Sequence, residues 1–174
     1  GTAGVALDRR MGFGGSFAPN RFERTSTFVA AYAQHLQAEF DTAQPLPPCA
    51  QRWTEDRAER QRQGKLPPGP GQLHPRYLQS FIDDFTGAAA NDIVVPPPCV
   101  AEIVSAPKHM LAAGCKPAAE NTRVYVHAQL TVLALRVVGL VAAPHKVACC
   151  HPLHALGLEF DGEARVIRCP DGKR

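Results

Sequence analysis

The chain has 174 residues, of which 45% are apolar, so it is long enough for one domain with its own core. No apolar run approaches the ~20 residues that cross a bilayer, and we expect a soluble intracellular protein of the cytoplasm or nucleus with no membrane partner. The net charge of +3 is compatible with a polyanionic partner, and 16 prolines with 14 glycines predict long irregular connections.

Six cysteines stand at positions 49, 99, 115, 149, 150 and 169 and form no Cys-x-x-Cys pair. This spacing favours reduced, buried structural thiols. The alternative is a zinc knuckle at Cys149-Cys150-His151, although no second pair lies at zinc-finger spacing.

The N-terminal residues begin without Met at Gly1 and are typical of a strand already under way, so we expect a fragment of a longer protein. Residues 11–22 follow as a glycine-rich loop, whose backbone can approach a ligand closely. Ser16 is a candidate cap for a helix that tolerates Pro19 in its first turn. Because exposed N–H groups at a helix start favour phosphate, this loop is a candidate phosphate contact.

A helix is predicted from Pro19 to about Phe40, because its large apolar residues recur at helical spacing, at Phe22, Val29, Tyr32, Leu36 and Phe40. Residues 41–75 are rich in proline and predict a surface insertion that contains one charged helix over residues 52–62. Arginine and tryptophan in that helix could contact nucleic acid, but the intervening acids favour a solvated face.

The segment Tyr77–Gly87 predicts a β-hairpin with Asp83-Asp84 at its tip, since apolar and aromatic residues flank two adjacent acids. Aspartate is a common turn residue, so a solvated turn is the simpler interpretation. The chemical alternative is a metal site, because Mg²⁺ prefers carboxylate oxygens and keeps positions open for substrate phosphates.

The remaining residues predict short elements around one buried helix. Residues 93–95 form a brief strand, residues 96–123 a second proline-rich insertion with a short helix broken at Pro107, and residues 140–143 a short strand. The apolar run predicts a helix from about Tyr125 to Val138, ended by Gly139. Residues 153–161 alternate like one strand and pair with residues 165–168 in a terminal hairpin. No P-loop or dinucleotide-binding glycine motif occurs, which argues against kinases and dehydrogenases.

Taken in order, these motifs resemble the palm of reverse transcriptases, the RNA-directed DNA polymerases of retroelements. Phe81-Ile82-Asp83-Asp84 is similar to the family's aromatic-x-Asp-Asp box. The loop matches the family's Phe-Gly-x-x-x-Ala-Pro-x-x-Phe segment, with matches at Phe13, Gly14, Ala18, Pro19 and Phe22. Gly139 with Lys146, and residues 156–161, resemble the two segments that follow in that family. The resemblance covers nearly the whole chain except the two insertions.

The resemblance implies an α+β fold: a partial polymerase palm with a small antiparallel sheet at the Asp-Asp hairpin, backed by two helices, and a C-terminal hairpin like a primer grip. It implies a single domain over residues 1–174 with insertions at about 41–75 and 96–123. The partners are a primed RNA or DNA template and deoxynucleotides, and the cofactor is Mg²⁺ or Mn²⁺.

The site residues follow from the same resemblance. Asp83 and Asp84 become metal ligands and catalytic residues, and Lys146 is a candidate to neutralise or protonate the leaving pyrophosphate. The nucleotide and template site is assigned to Phe13, Gly14, Gly15 and Phe81, and the primer grip to Leu156 and Gly157.

The sequence departs from the family pattern in several ways. Gly12 replaces a proline, Phe81 a tyrosine, and Ala155 an aromatic residue. A further metal-binding aspartate, expected upstream, is not found in a suitable context, so we expect the fingers and part of the palm to precede this chain. Two alternatives stay open: a catalytically inactive retroelement relic that binds nucleic acid or protein, and a viral RNA-dependent RNA polymerase palm, in which glycine usually precedes Asp-Asp.

Overall fold

A computed structural model describes residues 18–66, 76–81, 84–98, 103, 107–164 and 166–170. The described chain combines helices with small antiparallel sheets, in agreement with the coarse prediction of an α+β fold. The helices are α1 (Ala18–Ala43), α2 (Pro48–Arg62), α3 (Lys108–Ala112) and α4 (Arg123–Val137). The strands are β1 (Arg76–Phe81), β2 (Asp84–Ala89), β3 (Lys116–Pro117), β4 (Cys150–His151), β5 (Leu153–Ala155), β6 (Leu158–Asp161) and β7 (Val166–Arg168).

The core lies between α1, α4 and the β1–β2 hairpin. Val29 and Ala33 of α1 pack against Ala134 of α4, and all three are fully buried. The small alanines allow the two helices to approach closely, and the apolar side chains of Leu78 and Phe85 from the hairpin cover the same cluster. The predicted apolar stripe of α1 therefore faces the core wherever its side chains are described.

Both predicted long helices form, with small shifts at their ends. The first continues three residues past Phe40, and α4 begins two residues before Tyr125. Gly139 has φ of 77°, a left-handed conformation that glycine adopts without steric cost. The amide of Leu140 then donates to the Leu135 carbonyl at 2.9 Å, which closes the end of the helix.

The predicted hairpin also forms. β1 pairs with β2 in antiparallel register from Arg76 with Ala89 to Phe81 with Asp84. Ile82 and Asp83, which follow β1 in the sequence, lie outside the described residues, as do Phe13, Gly14 and Gly15. Gln34 of α1 donates to the Leu78 carbonyl at 2.8 Å and so fixes the hairpin on the helix.

The charged helix of the first insertion is longer than predicted, since α2 begins at Pro48. Proline suits the first helical turn because its missing N–H would have no intrahelical partner there. Arg60 pairs with Asp56 at 3.8 Å and Arg62 with Glu59 at 2.6 Å, both on the exposed surface. The acids thus neutralise part of the basic face, as the solvated-face interpretation expects.

The prediction of a strand over residues 140–143 is wrong, because these residues form no strand. After α4 the chain instead makes a short 3₁₀ turn over Pro144–Lys146. Its next paired segment is β4, which is antiparallel to β3. The side chains of Met110 and Cys115 pack against this segment and form a second small core.

The predicted C-terminal hairpin forms, with β6 antiparallel to β7, but the prediction that residues 153–161 make one strand is wrong. Residues 153–161 fold back on themselves, with β5 antiparallel to β6, and β7 adds to the far side of β6. The cause is the pair Leu156-Gly157, which has φ of 52° and 78°. Positive φ at both central residues is the signature of a tight hairpin turn, so the alternation of side chains concealed a reversal. The result is a three-stranded sheet.

Within the described ranges, no helix is long and apolar enough to cross a membrane.

Candidate functional site

A cavity of about 460 Å³ lies between the β1–β2 hairpin, α4 and the segment 142–156. We call it the hairpin cavity. Its wall includes Asp84 from β2, Lys146 from the 3₁₀ turn and Leu156 from the turn between β5 and β6. The sequence analysis assigned these three residues separately, and the fold brings them to one cavity.

Asp84 lies at the start of β2 because the hairpin register pairs it with Phe81. Its carboxylate is exposed, so it is available to a ligand in the cavity. Asp83 lies outside the described residues, so the role of Asp83 as a metal ligand stays a prediction. For Phe81, the structure describes the backbone, which pairs with Asp84.

Lys146 is exposed on the 3₁₀ turn, whose last amide donates to the Ala143 carbonyl at 2.9 Å. Lys146 and Asp84 both belong to the wall of this cavity. One anionic and one cationic side chain thus border the same space. An ammonium group is a suitable contact for a phosphate.

Leu156 is held in a left-handed conformation, with φ of 52°, which costs a non-glycine residue roughly 1–2 kcal/mol. The turn nevertheless keeps this side chain at the cavity, where it is 57% exposed. Gly157 follows at φ 78°, a value that glycine adopts freely. An aliphatic side chain held at a cavity mouth in a strained turn is a candidate contact for a ligand.

Two cysteines also line the cavity. Burial raises the pKa of Cys149 to about 12 and that of Cys150 to about 11. Both thiols are therefore protonated at neutral pH and are poor nucleophiles. Among the described residues, no group of three or more His, Cys, Asp or Glu side chains is arranged to hold a metal ion.

The number of carboxylate ligands in the cavity wall determines whether Mg²⁺ can bind there. A carboxylate oxygen is the ligand class that Mg²⁺ prefers, and Asp84 supplies one. Asp84 is the acidic residue among the described residues that line the cavity. A two-metal centre therefore requires further carboxylates besides Asp84.

A buried ionic network lies next to His127, one of the residues that line the cavity. Arg123 is 1% exposed and forms a two-pronged bond with Asp92, at 2.9 and 2.8 Å. It also donates to Asp41 at 2.6 Å and to the Pro45 carbonyl at 2.8 Å. Burial alone lowers the pKa of Arg123, but the bonds to the two aspartates outweigh that effect and raise it. The network joins the end of α1 to the start of α4.

His127 connects this network to the cavity. Its Nε2 atom lies 3.0 Å from the Asp41 carboxylate, and the residue lines the cavity wall. This contact gives a buried ring nitrogen on the apolar helix α4 a polar partner.

Sequence reasoning missed Gln37 and Thr131, which line the cavity from α1 and α4. Gln37 follows Ala33 by four residues on the apolar stripe of α1, so its polar side chain on a buried face was the available signal. Arg123 was missed because its partners lie 31 and 82 residues away in sequence.

No protein-family model matches the chain, and neither a curated protein nor a solved structure matches it.

Proposed function

We propose that this chain is the C-terminal part of a polymerase palm of the reverse transcriptase type, and that the hairpin cavity receives the primer end and the incoming nucleotide. The observation that carries the proposal is the meeting of Asp84, Lys146 and Leu156 in one cavity wall. These residues come from three segments that are spread over positions 84–156 of the sequence.

In this proposal each side chain has a separate task. Asp84, with Asp83 beside it in sequence, holds Mg²⁺ or Mn²⁺ together with an acid from outside the chain. When bound, the ions lower the pKa of the primer hydroxyl and stabilise negative charge around the phosphorus. Lys146 binds the phosphate oxygens and offers a proton to the leaving pyrophosphate. Leu156 contacts the primer end through its aliphatic surface.

The arrangement supports catalysis through position and charge. The hairpin is fixed on α1 through Gln34, and the buried Arg123 network fixes the start of α4. Side chains on such supports keep their positions while a substrate binds, which is the requirement for electrostatic stabilisation of a transition state. The nucleic acid is bound through its phosphates, without reading of the base sequence.

A second candidate function is a non-catalytic module that binds nucleic acid. The observation that favours it is the small number of acids in the cavity, since Asp84 is the one carboxylate that the described residues contribute to its wall. A relic that kept Lys146 and Leu156 but lost part of its metal site would bind a primed template without extending it.

The binding part of the proposal is tested by fluorescence anisotropy with a labelled primer annealed to an RNA template. Lys146→Ala is expected to weaken binding and to reduce the slope of log affinity against log salt by about 1, as for the loss of one phosphate contact. Lys108→Ala is the matched control, because Lys108 is exposed on α3 and lies outside the cavity wall. Equal effects of the two substitutions would contradict the proposal.

A further inference from the structure

Gln37 has a side-chain oxygen without a partner at the hairpin cavity. The residue is 3% exposed and belongs to the cavity wall. Its Oε1 atom is buried and receives no hydrogen bond from the described residues. Because a buried acceptor without a donor costs ~1–3 kcal/mol, such an atom in a folded protein calls for an explanation.

The bonds of the amide nitrogen set the orientation of this side chain in the structure. Gln37 Nε2 donates to the His127 carbonyl at 3.2 Å and to the Thr131 hydroxyl at 3.3 Å. Thr131 itself donates to the same carbonyl at 2.9 Å. A reversed amide would place Oε1 against the His127 carbonyl oxygen, which has no proton to give. Exchanging the oxygen and the nitrogen of the Gln37 amide therefore does not remove the unpartnered acceptor.

The rest of the cavity wall limits what can supply the missing donor. Much of it consists of small residues, namely Gly87, Ala88, Ala128, Val132, Ala142 and Ala143. Small aliphatic side chains present shallow apolar surfaces on which a flat ring can lie. Lys146 adds an exposed cation to the same wall, and its natural ligand is a phosphate.

We propose that the hairpin cavity contains a nucleobase subsite in which Gln37 Oε1 accepts a hydrogen bond from the amino group of a base. The ligand is a nucleotide whose base lies near Gln37 and whose phosphate contacts Lys146. This inference rests on the proposed function for the class of ligand, and it adds a residue of α1 that contacts the base directly.

Access to the oxygen requires a small movement of the side chain. The last torsion of glutamine is soft, and both bonds from Nε2 are at the long end of the usual range. If Gln37 rotates toward the ligand, the His127 carbonyl still has the Thr131 hydroxyl as a donor. The rotation therefore leaves no group of α4 without a partner.

The test compares nucleotides that differ in one amino group. Binding of the full chain is measured by titration calorimetry with three pairs of 5′-monophosphates: adenosine with purine riboside, guanosine with inosine, and cytidine with pyrimidin-2-one riboside. In at least one pair, the member without the amino group is expected to bind about tenfold more weakly, the effect of one hydrogen bond.

Three variants assign that difference to Gln37. Gln37→Met keeps the length of the side chain and removes the acceptor, so it should bind both members of the pair equally. Gln51→Met is the matched control, since Gln51 is exposed on α2 and is not part of the cavity wall. Thr131→Val removes one partner of Nε2 but leaves Oε1, so the preference should remain. Thermal unfolding of each variant checks that it is folded.

The inference is overturned if wild-type protein binds no nucleotide, if all three pairs bind equally, or if Gln37→Met keeps the preference. Its failure can be told apart from failure of the proposed function. If Lys146→Ala weakens primer–template binding while the pairs bind equally, the palm assignment stands without the subsite. If the amino preference depends on Gln37 while Lys146→Ala and Lys108→Ala act alike on primer–template binding, the subsite stands without the palm assignment.

Discussion

The substitution Arg123→Met should strongly destabilise the fold. Methionine fills a similar volume, so the main effect is the loss of a charge that two aspartates need. Arg123 is 1% exposed and bonds Asp92 twice, Asp41 once and the Pro45 carbonyl once. Removing one partner of a buried ionic network costs about 3–5 kcal/mol, because the remaining charge stays buried and uncompensated.

That cost is a large part of the total stability of a domain, which is about 5–15 kcal/mol. Urea unfolding at pH 7 measures it. With a slope of about 2 kcal/mol per molar urea, a loss of about 4 kcal/mol lowers the midpoint by about 2 M. Arg123→Lys should fall between wild type and Arg123→Met, because an ammonium keeps the charge but cannot form the two-pronged bond with Asp92.

Arg60→Met is the matched control. Arg60 pairs with Asp56 at 3.8 Å on the surface of α2, and exposed pairs contribute about 0–1 kcal/mol. The reasoning would be refuted if Arg123→Met shifted the midpoint no more than Arg60→Met does.

Three further predictions concern the C-terminal sheet and the thiols. Leu156→Gly should raise the unfolding free energy by up to about 1 kcal/mol in thermal unfolding, because glycine relieves the positive φ; a loss of stability would show that the leucine packing outweighs the strain. The hydrogen bond from Arg168 is the main cause that lowers the pKa of Glu159, so an NMR titration should find that pKa below its ordinary value, and Arg168→Met should raise it. The contribution of ionised Glu159 to stability is present above the ordinary glutamate pKa and is lost as pH falls through the lowered pKa. An unchanged Glu159 pKa in Arg168→Met would contradict this. Iodoacetamide at pH 7.5 should modify exposed Cys49 well before Cys150, whose pKa of about 11 leaves little thiolate; equal rates by mass spectrometry would refute the burial argument.

The long helices and the hairpin could be predicted because their signals are local. The apolar spacing of α1 and the run that forms α4 fix both helices to within a few residues. The aromatic and acidic pattern before Gly87 indicates the β1–β2 hairpin. In each case neighbouring residues in sequence carry the information.

The errors arose where backbone conformation or distant pairing decides the result. Leu156 occupies a left-handed conformation that leucine seldom adopts, so sequence alternation gave no sign of a turn there. The ionic network of Arg123 joins residues 82 positions apart, and no local pattern indicates such a pairing. Both features meet at the hairpin cavity, since Leu156 borders it and Asp41 of the network contacts His127, which lines it.

The most direct test of the central claim is template-directed nucleotide incorporation by the natural protein. Asp83→Asn should abolish incorporation and Asp84→Asn should lower it, because each removes a carboxylate from the proposed metal site. Asp56→Asn is the control, since its side chain is 68% exposed on α2 and lies outside the cavity wall. The account predicts loss with Asp83→Asn and wild-type rates with Asp56→Asn. Incorporation at the parent rate in Asp83→Asn would contradict it.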